Sequence, residues 1–234
     1  MAASPADRSA PLRVGHSILD ARSGLDALPA RLTGVRWDMV ELDVLRHAGR
    51  LVVAHDARDL SHPGLPRFEE ALAALVDLLE PEVRIDVDIK ATGYELEVAE
   101  AIMRAGIAER TLVSTMEPTS LATLRREAPE LTLGLSVPLA RRNYLAHPLT
   151  RPGAYVMLAY LRRVLPGRVA RALDAGEADA VMAHWGVVTA RLVSAVLGRG
   201  AELFVWTVDD LPRLERMRSL GVTGVITNQR DLFD

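Results

Sequence analysis

Near the middle of the chain the run Val83-Arg84-Ile85-Asp86-Val87-Asp88-Ile89-Lys90 places three charged residues at alternate positions of an apolar stretch. In an extended strand Asp86, Asp88 and Lys90 share one face, and Ile85, Val87 and Ile89 share the other. At about 3.3 Å per residue the charged row is roughly 13 Å long. Burying it without partners costs several kcal/mol per charge, so the strand must open on a polar site, and a bound cation is the simplest partner for its carboxylates. Lys90 is the only lysine among 28 basic residues. A compact ammonium therefore stands where the chain otherwise uses planar guanidinium groups. The plainer alternative is an internal salt bridge from Lys90 to Asp88.

Other residues extend this chemistry. Glu41 and Asp43 lie at i and i+2 in the apolar stretch 39–44 and so point the same way. With Asp88 they form an all-oxygen set of the kind that suits one hard divalent cation, Mg²⁺ or Ca²⁺, with Mn²⁺ as a third candidate. His16 and His55 each close a short apolar stretch and would flank that ion. A cation beside two imidazoles is a layout for displacement at phosphorus. The ion neutralises phosphate oxygens, one histidine takes a proton, and the other gives one to the leaving oxygen. Lys90 adds a fixed positive charge for the equatorial oxygens. His47, His62 and His147 read as surface or loop histidines without a chemical role.

The elements that must position these residues follow a regular alternation. Short apolar stretches near residues 12, 39, 83, 111, 131, 178, 202 and 223 are separated by amphipathic helical patterns over 24–32, 66–79, 95–105, 117–126, 188–197 and 211–220. That is the pattern of parallel strands joined by crossover helices. One exception is the turn signal at Gly49 between extended pieces, which reads as a hairpin. Eight strand–helix units predict a single (β/α)8 TIM barrel with a short β-hairpin arm after strand 2. Over 138–177 prolines at 138, 148, 152 and 166 break the pattern, and only a helical stretch near 155–164 is legible. This segment is assigned to the rim of the pocket. His16, Glu41, Asp43, His55, Asp88, Lys90, Ser114, His184, Trp206 and Asn228 all fall at or just past strand ends, where such barrels carry their sites.

With 234 residues, of which 49% are hydrophobic and 25% charged, the chain can bury a sizeable core. Residues 1–11 read as a disordered lead and 12–234 as one barrel domain. The net charge of -3 gives no support to nucleic-acid binding, and the absence of cysteine excludes disulfides and thiolate sites. No Gly-rich phosphate loop of the nucleotide-binding kinds occurs. No stretch has the uninterrupted apolar length of a membrane span, so a cytoplasmic protein with a small-molecule substrate is expected. Oligomeric state is open.

Five segments in order carry a resemblance. They are Glu41-Leu42-Asp43-Val44, His55-Asp56, Asp88-Ile89-Lys90, Trp206-Thr207-Val208-Asp209-Asp210, and 221–228, Gly-Val-Thr-Gly-Val-Ile-Thr-Asn. Together they resemble the glycerophosphodiester phosphodiesterase family, across nearly the whole chain. The resemblance implies a metal-dependent barrel enzyme that hydrolyses glycerophosphodiesters to an alcohol and glycerol 3-phosphate. It implies Glu41, Asp43 and Asp88 as metal ligands, His16 and His55 as the acid/base pair, Lys90 as a phosphate contact and Trp206 as a pocket-lining aromatic. Two departures stand out. The family's usual opening His-Arg-Gly reads His16-Ser17-Ile18 here, with no Pro-Glu-Asn-Thr segment after it, so a phosphate-binding arginine and a site glutamate are missing. Arg22 is the candidate to reach in from the loop. The third ligand is Asp88 where Glu is usual, which is similar to the sphingomyelinase D and lysophospholipase D-like enzymes. A catalytically impaired phosphodiester-binding barrel is the non-enzymatic alternative.

Overall fold

A computed structural model describes residues 10–138 and 151–233. In chain order it contains β1 (Leu12–Gly15), α1 (Leu28–Leu32), β2 (Met39–His47), β3 (Arg50–Val53), α2 (Phe68–Leu78), β4 (Arg84–Ile89), α3 (Glu95–Arg104) and β5 (Thr111–Thr115). There follow α4 (Pro118–Glu127), β6 (Thr132–Val137), α5 (Arg151–Asp174), β7 (Ala180–His184), α6 (Ala190–Leu197), β8 (Glu202–Trp206), α7 (Leu211–Leu220) and β9 (Gly224–Thr227). The strands pair in the order β1-β9-β8-β7-β6-β5-β4-β2-β3, and a further β1–β2 pairing closes the ring. All pairings are parallel except β2–β3. The expected (β/α)8 barrel with its hairpin arm is therefore what the chain forms. The arm turns at Ala48 and Gly49, both with positive φ (48° and 76°), as a tight two-residue hairpin requires.

Alternation along the strands sorts residues between two cores. Val40, Leu42 and Val44 of β2 and Ile85, Val87 and Ile89 of β4 face outward and pack beneath the helices. Val14, Met39, Leu112, Ala180, Met182, Phe204 and Ile226 face inward and fill the barrel. Below this layer the Arg84 guanidinium pairs with Glu202 at 2.8 Å and lies over the Phe204 ring. Above it the inward positions turn polar, and there the site begins.

Helix boundaries follow local chemistry. Proline occupies the first turn of α4 and of α7, and the Asp210 side chain accepts a hydrogen bond from Arg213 N–H to cap α7. The poorly legible segment contains a 24-residue helix, α5, about 36 Å long. Pro166 lies inside it, and this, with Gly167 and the Arg162-Arg163 pair, hides the helical period. Leu165, Val169 and Ala172 nevertheless bury one side of the helix against the barrel. Residues 139–150 and His147 within them lie outside the described residues, as do 1–9 of the N-terminal lead.

Gly224 is where the inner packing is tightest. A Cβ there would stand 2.7 Å from Cδ1 of buried Phe204 and 3.2 Å from Cβ of Leu12. Gly224→Ala is expected to lower the urea unfolding free energy by about 1–3 kcal/mol through overpacking. An unchanged midpoint would show that Phe204 can swing aside and that this layer is not rigid.

Candidate active site

Parallel pairing of β2 with β4 sets Glu41 beside Asp86 and Asp43 beside Asp88, all on the inward face. Glu41, Asp43 and Asp86 are each no more than 3% exposed. One ligand oxygen from each of Glu41, Asp43 and Asp88 lies within 4.8 Å of the others. The Lys90 ammonium sits 2.5 Å from Asp43 Oδ1 and 2.5 Å from Asp88 Oδ2. The carboxylate cluster and the internal salt bridge, posed as alternatives by the sequence, thus coexist. Asp88 Oδ1 is buried and has no hydrogen-bond partner among the described residues. An orphaned carboxylate oxygen in a three-carboxylate, all-oxygen set fits a hard divalent cation well.

The electrostatics describe a site short of positive charge. Burial, then the neighbouring Asp43 charge, pushes the Glu41 carboxyl well above its ordinary range. Asp88 is raised by burial despite Lys90. Burial also opposes the ionised form of Asp43, but the Lys90 ammonium and nearby His55 bring it down to about 2. Lys90 itself, though desolvated, is held well above the usual lysine value by Asp88, Asp43 and Glu41. One layer below, Asp86 is pushed up to about 8 by burial and by the Asp88 charge, against a hydrogen bond with Ser114. The sequence placed Asp86 on this face without giving it a role.

The loop after β1 completes the carboxylate cradle. Ser17 adopts a positive φ of 42°, a conformation that costs a non-glycine residue of order 1–3 kcal/mol. In return its N–H donates to Glu41 Oε2 at 2.6 Å and its hydroxyl to Asp43 Oδ2 at 3.0 Å. The residue that departs from the family's opening therefore orients two candidate ligands. Arg22 is exposed, and its backbone N–H bonds Asp20. It is Arg31 of α1, unremarked in the sequence, that fastens this loop: its guanidinium donates to the Ser17 carbonyl at 3.1 Å, to Asp20 Oδ2 at 2.7 Å and to Ser23 Oγ at 2.7 Å.

His16 extends the inward face of β1, and Asn228 that of β9. Asn228 Oδ1 lies 2.8 Å from His16 Nδ1, while Asn228 Nδ2 donates to Asp209 Oδ2 at 2.9 Å. Because Asp209 fixes the amide orientation, the oxygen faces the imidazole. His16 Nδ1 must then carry a hydrogen, and in the neutral ring Nε2 holds the lone pair. Both Asp209 and Asn228 stand in the quoted motifs, but their pairing with His16 needs the closed ring. His55 follows β3, where Ala54 N–H bonds the Asp43 carbonyl at 3.2 Å. Its side chain is 57% exposed and close enough to Asp43 and Asp88 to favour their ionised forms. Trp206 is half-buried at the end of β8 and meets His184 edge-on, with centroids 5.1 Å apart. His47 and His62 are exposed, as read from the sequence.

Comparison with known proteins agrees with this geometry. Residues 41–232 match the glycerophosphoryl diester phosphodiesterase family. A glycerophosphodiester phosphodiesterase of Caldanaerobacter subterraneus subsp. tengcongensis is 24% identical, the match covering 82% of this chain and 82% of the relative. Among solved structures, a glycerophosphodiester phosphodiesterase from Agrobacterium tumefaciens superposes with a TM-score of 0.65 at 17% identity, covering 95% of this chain and 97% of the other. An Oleispira antarctica phosphodiesterase, solved with its product sn-glycerol-3-phosphate, superposes with a TM-score of 0.62 at 15% identity, covering 97% and 96%. A closed barrel with this carboxylate–histidine mouth, and a family match running from the first candidate ligand almost to the end of the chain, lead to one conclusion: the chain belongs to the glycerophosphoryl diester phosphodiesterase family, a family of phosphoric diester hydrolases.

Proposed function

We propose that this protein is a divalent-cation-dependent hydrolase that splits glycerophosphodiesters into an alcohol and glycerol 3-phosphate. The observation that carries this reading is the convergence of Glu41, Asp43 and Asp88 within 4.8 Å of one another at the same barrel mouth as His16 and His55. Glu41, Asp43 and Asp88 would hold the cation, which when bound neutralises the negative charge of the phosphate oxygens.

The protein's own groups divide the remaining work. His16, with its Nδ1 hydrogen turned to Asn228, presents the Nε2 lone pair to take the proton of an attacking water as the new O–P bond forms. His55 gives a proton to the alcohol oxygen as the old P–O bond breaks; His16 then holds one extra proton and His55 lacks one, and exchange with solvent returns both to their starting states before the next turnover. Lys90 fixes Asp43 and Asp88 and offers positive charge at their edge. Ser17 holds Glu41 and Asp43 in the orientation the cation requires, the task for which this chain uses the position of the family's arginine.

A second reading, an amphiphilic lysophospholipid-type substrate, is favoured by one observation. Val156, Met157 and Tyr160 of α5 are 72%, 54% and 51% exposed at the end of the helix nearest the barrel mouth. Such a cluster can receive an acyl chain.

Metal-stripped protein should be inactive on glycerophosphocholine and glycerophosphoethanolamine and regain turnover with Mg²⁺, Ca²⁺ or Mn²⁺. Turnover confined to a lysophospholipid would favour the second reading, and full activity in excess chelator would remove the cation from the mechanism. In the metal-loaded enzyme His16→Ala or His55→Ala should each lower kcat by roughly 10²–10⁴-fold without loss of metal binding. Wild-type kcat in either variant would dismiss that histidine.

Asp86 supplies a pH test. Its carboxyl keeps a proton in the metal-free fold up to pH of about 8, whereas the unfolded chain loses it near the ordinary value of 3.8. The folded state binds more protons across that window, so the Asp86 contribution to the stability of the metal-free protein should fall as pH rises from about 4 to 8 and level off above. Asp86→Asn removes Asp86's share of this dependence, leaving that of Glu41 and Asp88, and should gain on the wild type, by up to a few kcal/mol at pH 8. Parallel stability–pH curves for the two proteins would show that Asp86 ionises freely.

A further inference from the structure

Opposite the carboxylates stands a second set of groups that the proposed chemistry does not use. In the ring of strands β7 lies across from β2, and β8 across from β4. His184 continues the inward face of β7 above Ala180 and Met182, and Trp206 that of β8 above Phe204, the two being register partners. A substrate whose phosphate rests at Glu41, Asp43 and Asp88 therefore extends its remaining part toward His184 and Trp206.

His184 is held with unusual care. Its Nδ1 accepts a hydrogen bond from the Gly186 N–H at 3.2 Å, which leaves the hydrogen of the neutral ring on Nε2. Among the described residues none hydrogen-bonds Nε2, and the side chain is only partly buried. Gly186 makes the close approach possible, since a Cβ there would stand 3.0 Å from His184 Nδ1 and 3.2 Å from Cε1. Arginines from two helices secure the turn Trp185–Val187 that carries this glycine. Arg162 of α5 donates to the Gly186 carbonyl at 2.8 Å, Arg216 of α7 donates to the Val188 carbonyl at 3.1 Å, and Arg213 of α7 stacks 4.2 Å from the centre of the Trp185 ring. Burial and the Arg213 charge lower the proton affinity of the imidazole and so favour its neutral form.

From this geometry we infer that His184, through Nε2–H, is the hydrogen-bond donor of a polyol subsite that recognises a hydroxyl on the glycerol side of the substrate, while Trp206 covers its C–H face. A neutral N–H beside an aromatic ring suits a hydroxylated carbon chain: the donor reads the oxygen and the ring shields the carbons. The same chemistry in a hydroxylated leaving alcohol is the competing source. This inference rests on the phosphodiesterase reading and adds the residue that would select glycerol.

The test uses metal-loaded protein and two phosphomonoesters, sn-glycerol 3-phosphate and methyl phosphate, which lacks hydroxyls on carbon. Titration calorimetry should show His184→Phe binding glycerol 3-phosphate about 5- to 10-fold more weakly, as expected for one lost uncharged hydrogen bond, with methyl phosphate unchanged. His184→Gln keeps an N–H near the Nε2 position and should restore most of the preference. Gly186→Ala, which displaces the ring, should mimic His184→Phe. Equal affinities of wild type and His184→Phe for glycerol 3-phosphate would overturn the inference, and so would equal weakening for both ligands. A defect in turnover confined to glycerophosphoglycerol, with glycerophosphocholine spared, would move the recognised hydroxyl to the leaving alcohol and overturn the glycerol assignment. Should the wild type neither bind glycerol 3-phosphate nor hydrolyse any diester, the phosphodiesterase reading itself fails first.

Discussion

The Lys90 ammonium wedged between Asp43 and Asp88 is the contact on which the mouth of this barrel depends. Four inward carboxylates, Glu41, Asp43, Asp86 and Asp88, crowd onto two adjacent strands, and at close range in a weakly screened interior their mutual repulsion would be severe. One lysine at 2.5 Å from two of them offsets part of that repulsion. The rest is relieved by protonation, which is why Glu41, Asp86 and Asp88 resist ionisation while Asp43, where the Lys90 and His55 charges outweigh burial, does not. A divalent ion is the natural completion of such an imbalance. It would replace shared protons with charge, and the same unfavourable electrostatics that weaken the metal-free fold would become affinity for the metal.

Rigid scaffolding surrounds this cluster on every side. Ser17 is driven into a left-handed conformation so that its two donors meet Glu41 and Asp43, and Arg31 clamps the loop that carries it. His16 is oriented through Asn228 by Asp209, and His184 through Gly186 by arginines of α5 and α7. In each case a backbone group or a charged residue outside the mouth decides which ring nitrogen is available inside it. Preorganisation of this kind means that the groups need not reorient when substrate arrives. The loss of the family's arginine at position 17 is thus not simply a loss. The position has been given to orienting Glu41 and Asp43, and positive charge in the mouth is left to Lys90 and to any cation those carboxylates would hold.

Much of this could be read in the chain before folding. Alternation over 83–90 and 39–44 put the carboxylates and Lys90 on inward faces because a strand's period of two is a local property. Eight apolar stretches separated by helical patterns specified the barrel, since parallel neighbours need crossovers and a closed ring leaves no edge. The Gly49 turn marked the hairpin. What stayed hidden was the extent of α5: the stretch near 155–164 was legible, but Pro166 and Gly167 mask the period of its second half, which tertiary burial of Leu165, Val169 and Ala172 enforces.

The sequence by itself thus determined residue types, faces and order, because those follow from stereochemistry within a few residues. Only the tertiary structure decided which of them touch. It joined His16 to Asn228 across 212 positions, brought Ser17 onto Glu41 and Asp43, set Asp86 beside Glu41 and Asp88 beside Asp43, and aligned His184 with Trp206 opposite the carboxylates. The physical reason is closure. The pairing of β1 with both β2 and β9 converts a linear succession of strand ends into one ring, and partners in that ring are set by register, not by distance along the chain.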